Sequence, residues 1–188
     1  TVTVRGVAIG GGSRVTVQSM TNTDTADRDA TLAQIRALER CGCDIVRFTV
    51  NSAAAVANIP YFLEHTPLPL VADIHFDYKL AIDAAEAGIS KIRINPGNIG
   101  DDDRVRAVAR TCARLGVPVR VGINGGSLEK QIAAKYGAPT AEALAESALE
   151  NIRRLERFGF DELVVSVKSS DVKLMIEANR LIAAACPY

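Results

Sequence analysis

Five short stretches of this chain alternate hydrophobic and polar residues with a period of two. Successive side chains of a strand point to opposite faces. From Asp44 to Val50, Val46, Phe48 and Val50 therefore share one face, and Arg47 and Thr49 the other. The strand at Pro69 to Ile74 sets Ala72 and Ile74 against Asp73, with His75 just beyond on the polar side. At Lys91 to Asn95, Ile92 and Ile94 oppose Lys91, Arg93 and Asn95. At Pro118 to Ile123, Arg120 pairs with Asn124 across Gly122. At Leu163 to Lys168, Val165 and Val167 oppose Ser166 and Lys168.

Helical signals fill the intervals. Leu32, Ile35 and Leu38 make one apolar face of a helix over about 27–41, stopped by Gly42. Ser52, Asp77, Asp101, Thr140 and Asp171 are placed as N-caps of five further helices, one of which fades before Pro67. The residues from Ser127 to Pro139 read as a longer loop, with Ser127 as a helix cap. At the front, Val2-Thr3-Val4 and Val15-Thr16-Val17 flank Gly10-Gly11-Gly12, which predicts a hairpin with a glycine turn over about residues 1–17. A phosphate-cradling glycine loop runs from a strand into a helix, so the strand–strand context argues against that use.

Strict alternation of strand and helix implies parallel strands joined by crossovers. An open α/β sheet covered on both faces needs near-continuous apolar strands. These strands keep a polar face, with its polar residues gathered toward their C-terminal ends. A barrel gives that face a common axis to point to. The sequence thus predicts an α/β fold, a (β/α)8 TIM-type barrel truncated after about six β/α units. It forms a single incomplete domain over residues 1–188, because no linker or low-complexity tract divides the chain.

Composition narrows the function. Lys plus Arg equals Asp plus Glu, at 22 each, which excludes a general nucleic-acid or membrane-surface binder. No apolar run is long enough to span a membrane and no signal-peptide pattern opens the chain. Cys41, Cys43, Cys112 and Cys186 form no CxxC pair, so they read as reduced, mostly buried thiols of a cytoplasmic protein, and Cys41-Gly42-Cys43 as packing at a helix–strand junction. A first residue of Thr suggests a processed chain or an excised piece.

Against this neutral background, Arg47, Arg93, Arg120 and Lys168 converge on one mouth with Asp73 as the single acid. Unpaired buried charge is strongly disfavoured. Arginine presents a planar fork suited to phosphate, so a ligand bearing more than one phosphate would supply the missing negative charge. Asn95 and Asn124 can donate to or accept from it, His75 can donate a hydrogen bond or move a proton, and the Pro96-Gly97-Asn98 bend could bring backbone amides close. Lys91 lies deeper, toward the floor. His65 reads as a capping or surface histidine. The competing reading is a self-satisfied polar network that plugs the barrel.

Three stretches carry a resemblance. Gln18-Ser19-Met20-Thr21-Asn22-Thr23-Asp24-Thr25, Val71-Ala72-Asp73-Ile74-His75-Phe76-Asp77-Tyr78 and Lys91-Ile92-Arg93-Ile94-Asn95-Pro96-Gly97-Asn98-Ile99-Gly100 closely resemble the 4-hydroxy-3-methylbut-2-enyl diphosphate synthases of the non-mevalonate isoprenoid pathway. Phe48 and Gly125 depart from the expected Val and Ala. The resemblance implies a barrel that binds 2-C-methyl-D-erythritol 2,4-cyclodiphosphate through Arg47, Asp73, His75, Arg93, Asn95, Arg120, Asn124 and Lys168. It further implies reductive ring opening by a [4Fe-4S] cluster fed by ferredoxin or flavodoxin. In that family three cysteines and a glutamate of a separate C-terminal domain hold the cluster, and that domain closes over the partner's barrel in a homodimer. None of the four cysteines here matches a cluster ligand, and neither the cluster domain nor the late barrel segment with its acidic residue is expected in these residues. The location implied is the cytoplasm, or the plastid stroma in a plant. A pterin-binding barrel of the dihydropteroate synthase type is the alternative enzyme.

Overall fold

A computed structural model describes residues 1–188. Six parallel strands follow one another around a single sheet in chain order: β3 (Gln18–Met20), β4 (Ile45–Thr49), β5 (Leu70–Asp73), β6 (Lys91–Ile94), β7 (Val119–Asn124) and β8 (Leu163–Lys168). A separate hairpin precedes them, β1 (Val2–Val4) against β2 (Val7–Ile9). The helices between strands are α1 (Arg28–Arg40), α2 (Ala53–Ala57), α3 (Ile59–His65), α4 (Tyr78–Glu86), α5 (Asp102–Leu115), α6 (Lys130–Tyr136) and α7 (Ala141–Glu156), and α8 (Val172–Ala185) closes the order. Sequential parallel pairing with β3 and β8 as open edges is the sheet of a barrel that lacks two of eight staves.

Local chemistry starts the helices where the caps predict. The side chains of Asp27, Ser52, Asp77, Asp101, Thr140 and Asp171 each accept a hydrogen bond from a backbone N–H in the first turn. Gly116 ends α5 in the left-handed region, at φ 65°. The outward strand residues Val46, Phe48, Ala72, Ile74, Ile92, Ile94, Val119 and Val121 are fully buried against Leu32, Ile35, Ala84, Val105, Val108, Leu144 and Ile152 of the helices. That layer places every polar strand face on the inner side.

The structure corrects several sequence expectations. The hairpin does not turn at the triple glycine. Val4 pairs with Val7 around Arg5 and Gly6, both at positive φ (43° and 87°), as a two-residue primed turn needs. Arg5 is held there by the carbonyls of Leu63, Thr66 and Leu68, which fixes the hairpin beneath the N-terminal ends of the strands. Val15-Thr16-Val17 is not a strand, and Val15 is 91% exposed. The first sheet strand begins just after it, at Gln18.

The helix after Ser52 is broken in two, because Pro60 begins a new helix and Asn58 at the junction donates to the carbonyls of Thr25 and Ala26. The loop over 127–139 contains α6, whose N-cap position is Glu129 with no side-chain cap bond. Ser127 ends a short 3-10 turn instead of capping a helix. At the first helix–strand junction Cys43 is buried but Cys41 is exposed, contrary to the expectation that both pack inside. Cys112 is buried, Cys186 half-buried, and all four are free thiols.

Candidate functional site

The polar inner face opens into a cavity of about 730 Å³ at the C-terminal ends of the strands. Arg47, Asp73, His75, Arg93, Asn95, Arg120, Asn124 and Lys168 all line it. Strand register explains why five strands deliver them to one place. Thr49 of β4 is level with Asp73, Asp73 with Arg93, Arg93 with Arg120, and Asn124 with Lys168.

Asp73, 3% exposed, sits at the centre of the charge pattern. Its Oδ1 accepts from Arg93 Nη1 at 3.1 Å, and its Oδ2 lies 3.6 Å from both Arg47 Nε and His75 Nε2. Arg47 is also held by Met20, whose sulfur accepts from Nε and Nη2 at 3.3 and 3.2 Å. Arg120 has no carboxylate. Its Nη2 donates to Ser166 Oγ at 2.6 Å, and its pKa is lowered by burial first and then by repulsion from Arg47 and Arg93. Lys168 forms no ion pair and no side-chain hydrogen bond with the protein.

The two asparagines use their amides alike. Asn95 Oδ1 accepts from Gly97 N at 3.1 Å and Asn124 Oδ1 accepts from Gly126 N at 3.4 Å, each closing a turn with the residue two positions on. Each oxygen is thus turned toward its own turn, and the NH2 group of each side chain, which makes no hydrogen bond with the protein, is left to donate to a ligand. The bend at Pro96–Asn98 does not release its amides, since Gly97 N goes to Asn95 Oδ1 and Asn98 N to the Asn95 carbonyl. That corrects the expectation of free backbone donors there. The bend is instead braced from outside: Arg154 of α7 donates to the carbonyls of Pro96 and Gly100 at 2.7 Å each and to Asp102 at 2.6 Å.

Chemically, the cavity is a surface of donors and cations around one shared carboxylate. The cavity lining also includes residues that alternation did not single out, among them Phe76, Asn98, Gly122, Ser127 and Met175, and Met20 braces Arg47 from outside that lining. Ser127 and Asn98 lie in turns, and Phe76, 74% exposed at the rim, breaks the polar pattern. Met20 is recognisable only once its register with Arg47 is known.

Lys91 is outside the cavity lining, as its depth along β6 predicts. It is 1% exposed with no ion pair, and burial, with added repulsion from Arg120 and Arg47, brings its pKa down to about 8. His65 Nδ1 donates to the Tyr61 carbonyl within its own helix, at 2.8 Å, and its ring packs on the Tyr61 ring. The cysteines lie on separate elements: Cys41 at the end of α1, Cys43 in the core, Cys112 within α5 and Cys186 after α8. Burial raises the Cys112 thiol to about 12, the reverse of what a metal thiolate needs. This thiol set does not fit a cluster cradle. No helix is long and apolar enough to cross a membrane.

Comparison with known proteins gives a consistent pattern. The family model described as the GcpE TIM-barrel domain matches residues 1–188. Proteins named 4-hydroxy-3-methylbut-2-en-1-yl diphosphate synthase (flavodoxin) are similar along the chain. The one from Fusobacterium nucleatum is 49% identical over 187 residues, covering 100% of this chain and 53% of the relative. The one from Mannheimia succiniciproducens is 53% identical over 182 residues, covering 97% and 50%. The chain thus spans about half the length of the curated relatives it matches. Among solved structures, the dihydropteroate synthase of Yersinia pestis superposes with a TM-score of 0.67 at 16% identity, over 98% of this chain and 69% of that one. That of Clostridium difficile gives 0.64 at 14% identity, over 90% and 71%. At such identities these two report a shared barrel architecture.

Proposed function

Because the chain belongs to the GcpE TIM-barrel domain family, we propose that it is the substrate-binding barrel of a 4-hydroxy-3-methylbut-2-enyl diphosphate synthase. Its substrate would be 2-C-methyl-D-erythritol 2,4-cyclodiphosphate. The single observation that carries this reading is the convergence of Arg47, Arg93, Arg120 and Lys168 on one cavity in which Asp73 is the only carboxylate. A cyclic diphosphate supplies the anion that the cavity lacks, and its methyl-tetrol ring supplies hydroxyls for His75, Asn95 and Asn124.

Each residue has a distinct part. Arg120 and Lys168, free of carboxylate partners, bear on the phosphates directly. Arg47 and Arg93 are oriented by Asp73 and Met20 and present their remaining N–H groups. The NH2 groups of Asn95 and Asn124 donate to phosphate or polyol oxygens. Holding both phosphates fixed while the ring opens is a task of positioning and charge stabilisation.

In the family reading a [4Fe-4S] cluster supplies the reducing electrons, received from flavodoxin, the donor in the relatives' names, and a hydroxyl leaves as water. Its ligands would lie outside these residues, in a further domain closing over the barrel of a second subunit in the cytoplasm. The 188-residue chain alone is then expected to bind but not to turn over. Two other readings are weaker. A self-satisfied polar plug leaves Arg120 and Lys168 without acids, and the likeness to dihydropteroate synthases extends to architecture only.

The test is an anaerobic assay of the full-length, cluster-loaded protein with reduced flavodoxin. Consumption of the cyclodiphosphate with appearance of the linear hydroxybutenyl diphosphate supports the proposal, and no consumption by loaded enzyme overturns it.

A further inference from the structure

Gly122 is the only inner-face position of β7 without a side chain, between Arg120 and Asn124. Glycine weakens a strand interior and commonly marks close approach by another group. The approaching group here is Arg93. A Cβ built on Gly122 would stand 2.8 Å from Arg93 Nη2 and 3.0 Å from Cζ, with Nε nearer still. The guanidinium therefore meets Gly122 with its Nε–Nη2 edge, while Nη1 reaches Asp73 at 3.1 Å and Nη2 faces the Gly122 carbonyl at 3.5 Å.

The Gly122 φ is not in the left-handed region, so the backbone itself would accept alanine. All three clashing atoms belong to the movable end of one side chain. An added methyl group would thus leave the strand in place and push the guanidinium off its seat.

We propose that Gly122 is a positioning residue for the ligand: its missing side chain is the slot that seats the Nε–Nη2 edge of Arg93 and so holds the guanidinium in register with Asp73 at the cavity wall. Gly122 acts through Arg93 alone. This rests on the reading of the cavity as a diphosphate site, and the test separates the two. Lysine at 93 has no planar fork to be displaced, so it should be indifferent to the methyl group.

The experiment is isothermal titration of the full-length protein with the cyclodiphosphate for four proteins: unaltered, Gly122→Ala, Arg93→Lys and the double variant, each with a thermal melt. The expected result is at least tenfold weaker binding for Gly122→Ala with an unchanged or higher melting temperature. In the Arg93→Lys background the same substitution should change affinity less than twofold. Equal losses in both backgrounds, or full affinity in Gly122→Ala, overturn the slot. A Gly122→Ala chain that fails to fold in either background also overturns it, since the methyl group would then act on the strand. If the unaltered protein does not bind, the diphosphate reading itself fails.

Discussion

Asp73 accepts a hydrogen bond from Arg93 at 3.1 Å with its other oxygen 3.6 Å from Arg47, so one buried carboxylate organises two of the four cavity cations. Removing it leaves those cations facing one another. Breaking a buried pair from one side costs about 3 kcal/mol or more. Asp73→Ala is expected to lower the melting temperature of the full-length protein, and millimolar inorganic pyrophosphate should recover much of the loss. Differential scanning calorimetry with and without pyrophosphate checks both halves. An unaltered melting temperature would show that the carboxylate organises nothing.

Arg120 stands in the opposite situation. It is buried among like charges with a hydroxyl as its protein partner. Arg120→Leu should therefore stabilise the empty protein, by on the order of 1 kcal/mol. The same change should weaken cyclodiphosphate binding by about 2 kcal/mol, roughly 30-fold. Melting and titration on the same preparation read the two effects, and changes of equal sign would contradict this assignment.

At Lys91 the prediction concerns pH. Its pKa falls from 10.5 to about 8 on folding. Between those values the folded state binds fewer protons than the unfolded state, so this group makes stability rise with pH through that window. Below pH 8 the buried charge is a liability of about 3 kcal/mol at most. Lys91→Met should raise the melting temperature of the 188-residue chain at pH 7, and the gain should shrink as pH passes 8 toward 10. A gain that does not vary with pH would point to packing alone.

Much of this was legible in the sequence, because alternation depends only on backbone geometry. It identified Arg47, Arg93 and Arg120 as neighbours before any contact was known. Where the reading failed, the outcome depended on partners. Val15-Thr16-Val17 has strong strand composition but no strand to pair with at Val15, and only Val17 reaches the sheet, accepting from Asp44 N and Ile45 N. Arg5-Gly6 lacks the usual asparagine or aspartate of a primed turn, and it is stabilised by carbonyls some sixty residues away. Met20 looked apolar, and only its register with Arg47 makes the sulfur an acceptor. Gly122 looked like an interruption in a polar face, and its role depends on a side chain from the neighbouring strand.

The donor role of the free NH2 group can be checked at Asn124, which is exposed. Asn124→Asp keeps an oxygen to accept from Gly126 N, so the turn and fold should persist. It exchanges the free NH2 for negative charge, and cyclodiphosphate affinity should fall more than tenfold, about 1.4 kcal/mol or greater. Unchanged affinity in a titration would remove Asn124 from the site.

The central claim is that the inner face of this barrel is a cradle for a cyclic diphosphate. The most direct measurement is the affinity of the full-length protein for 2-C-methyl-D-erythritol 2,4-cyclodiphosphate, with a pterin diphosphate as comparison, before and after replacing Arg93 and Arg120 together with leucine. The expected result is preferential binding of the cyclodiphosphate and at least a hundredfold loss in the double variant, about 2.8 kcal/mol. Tighter binding of the pterin diphosphate, or an affinity indifferent to both arginines, would contradict it.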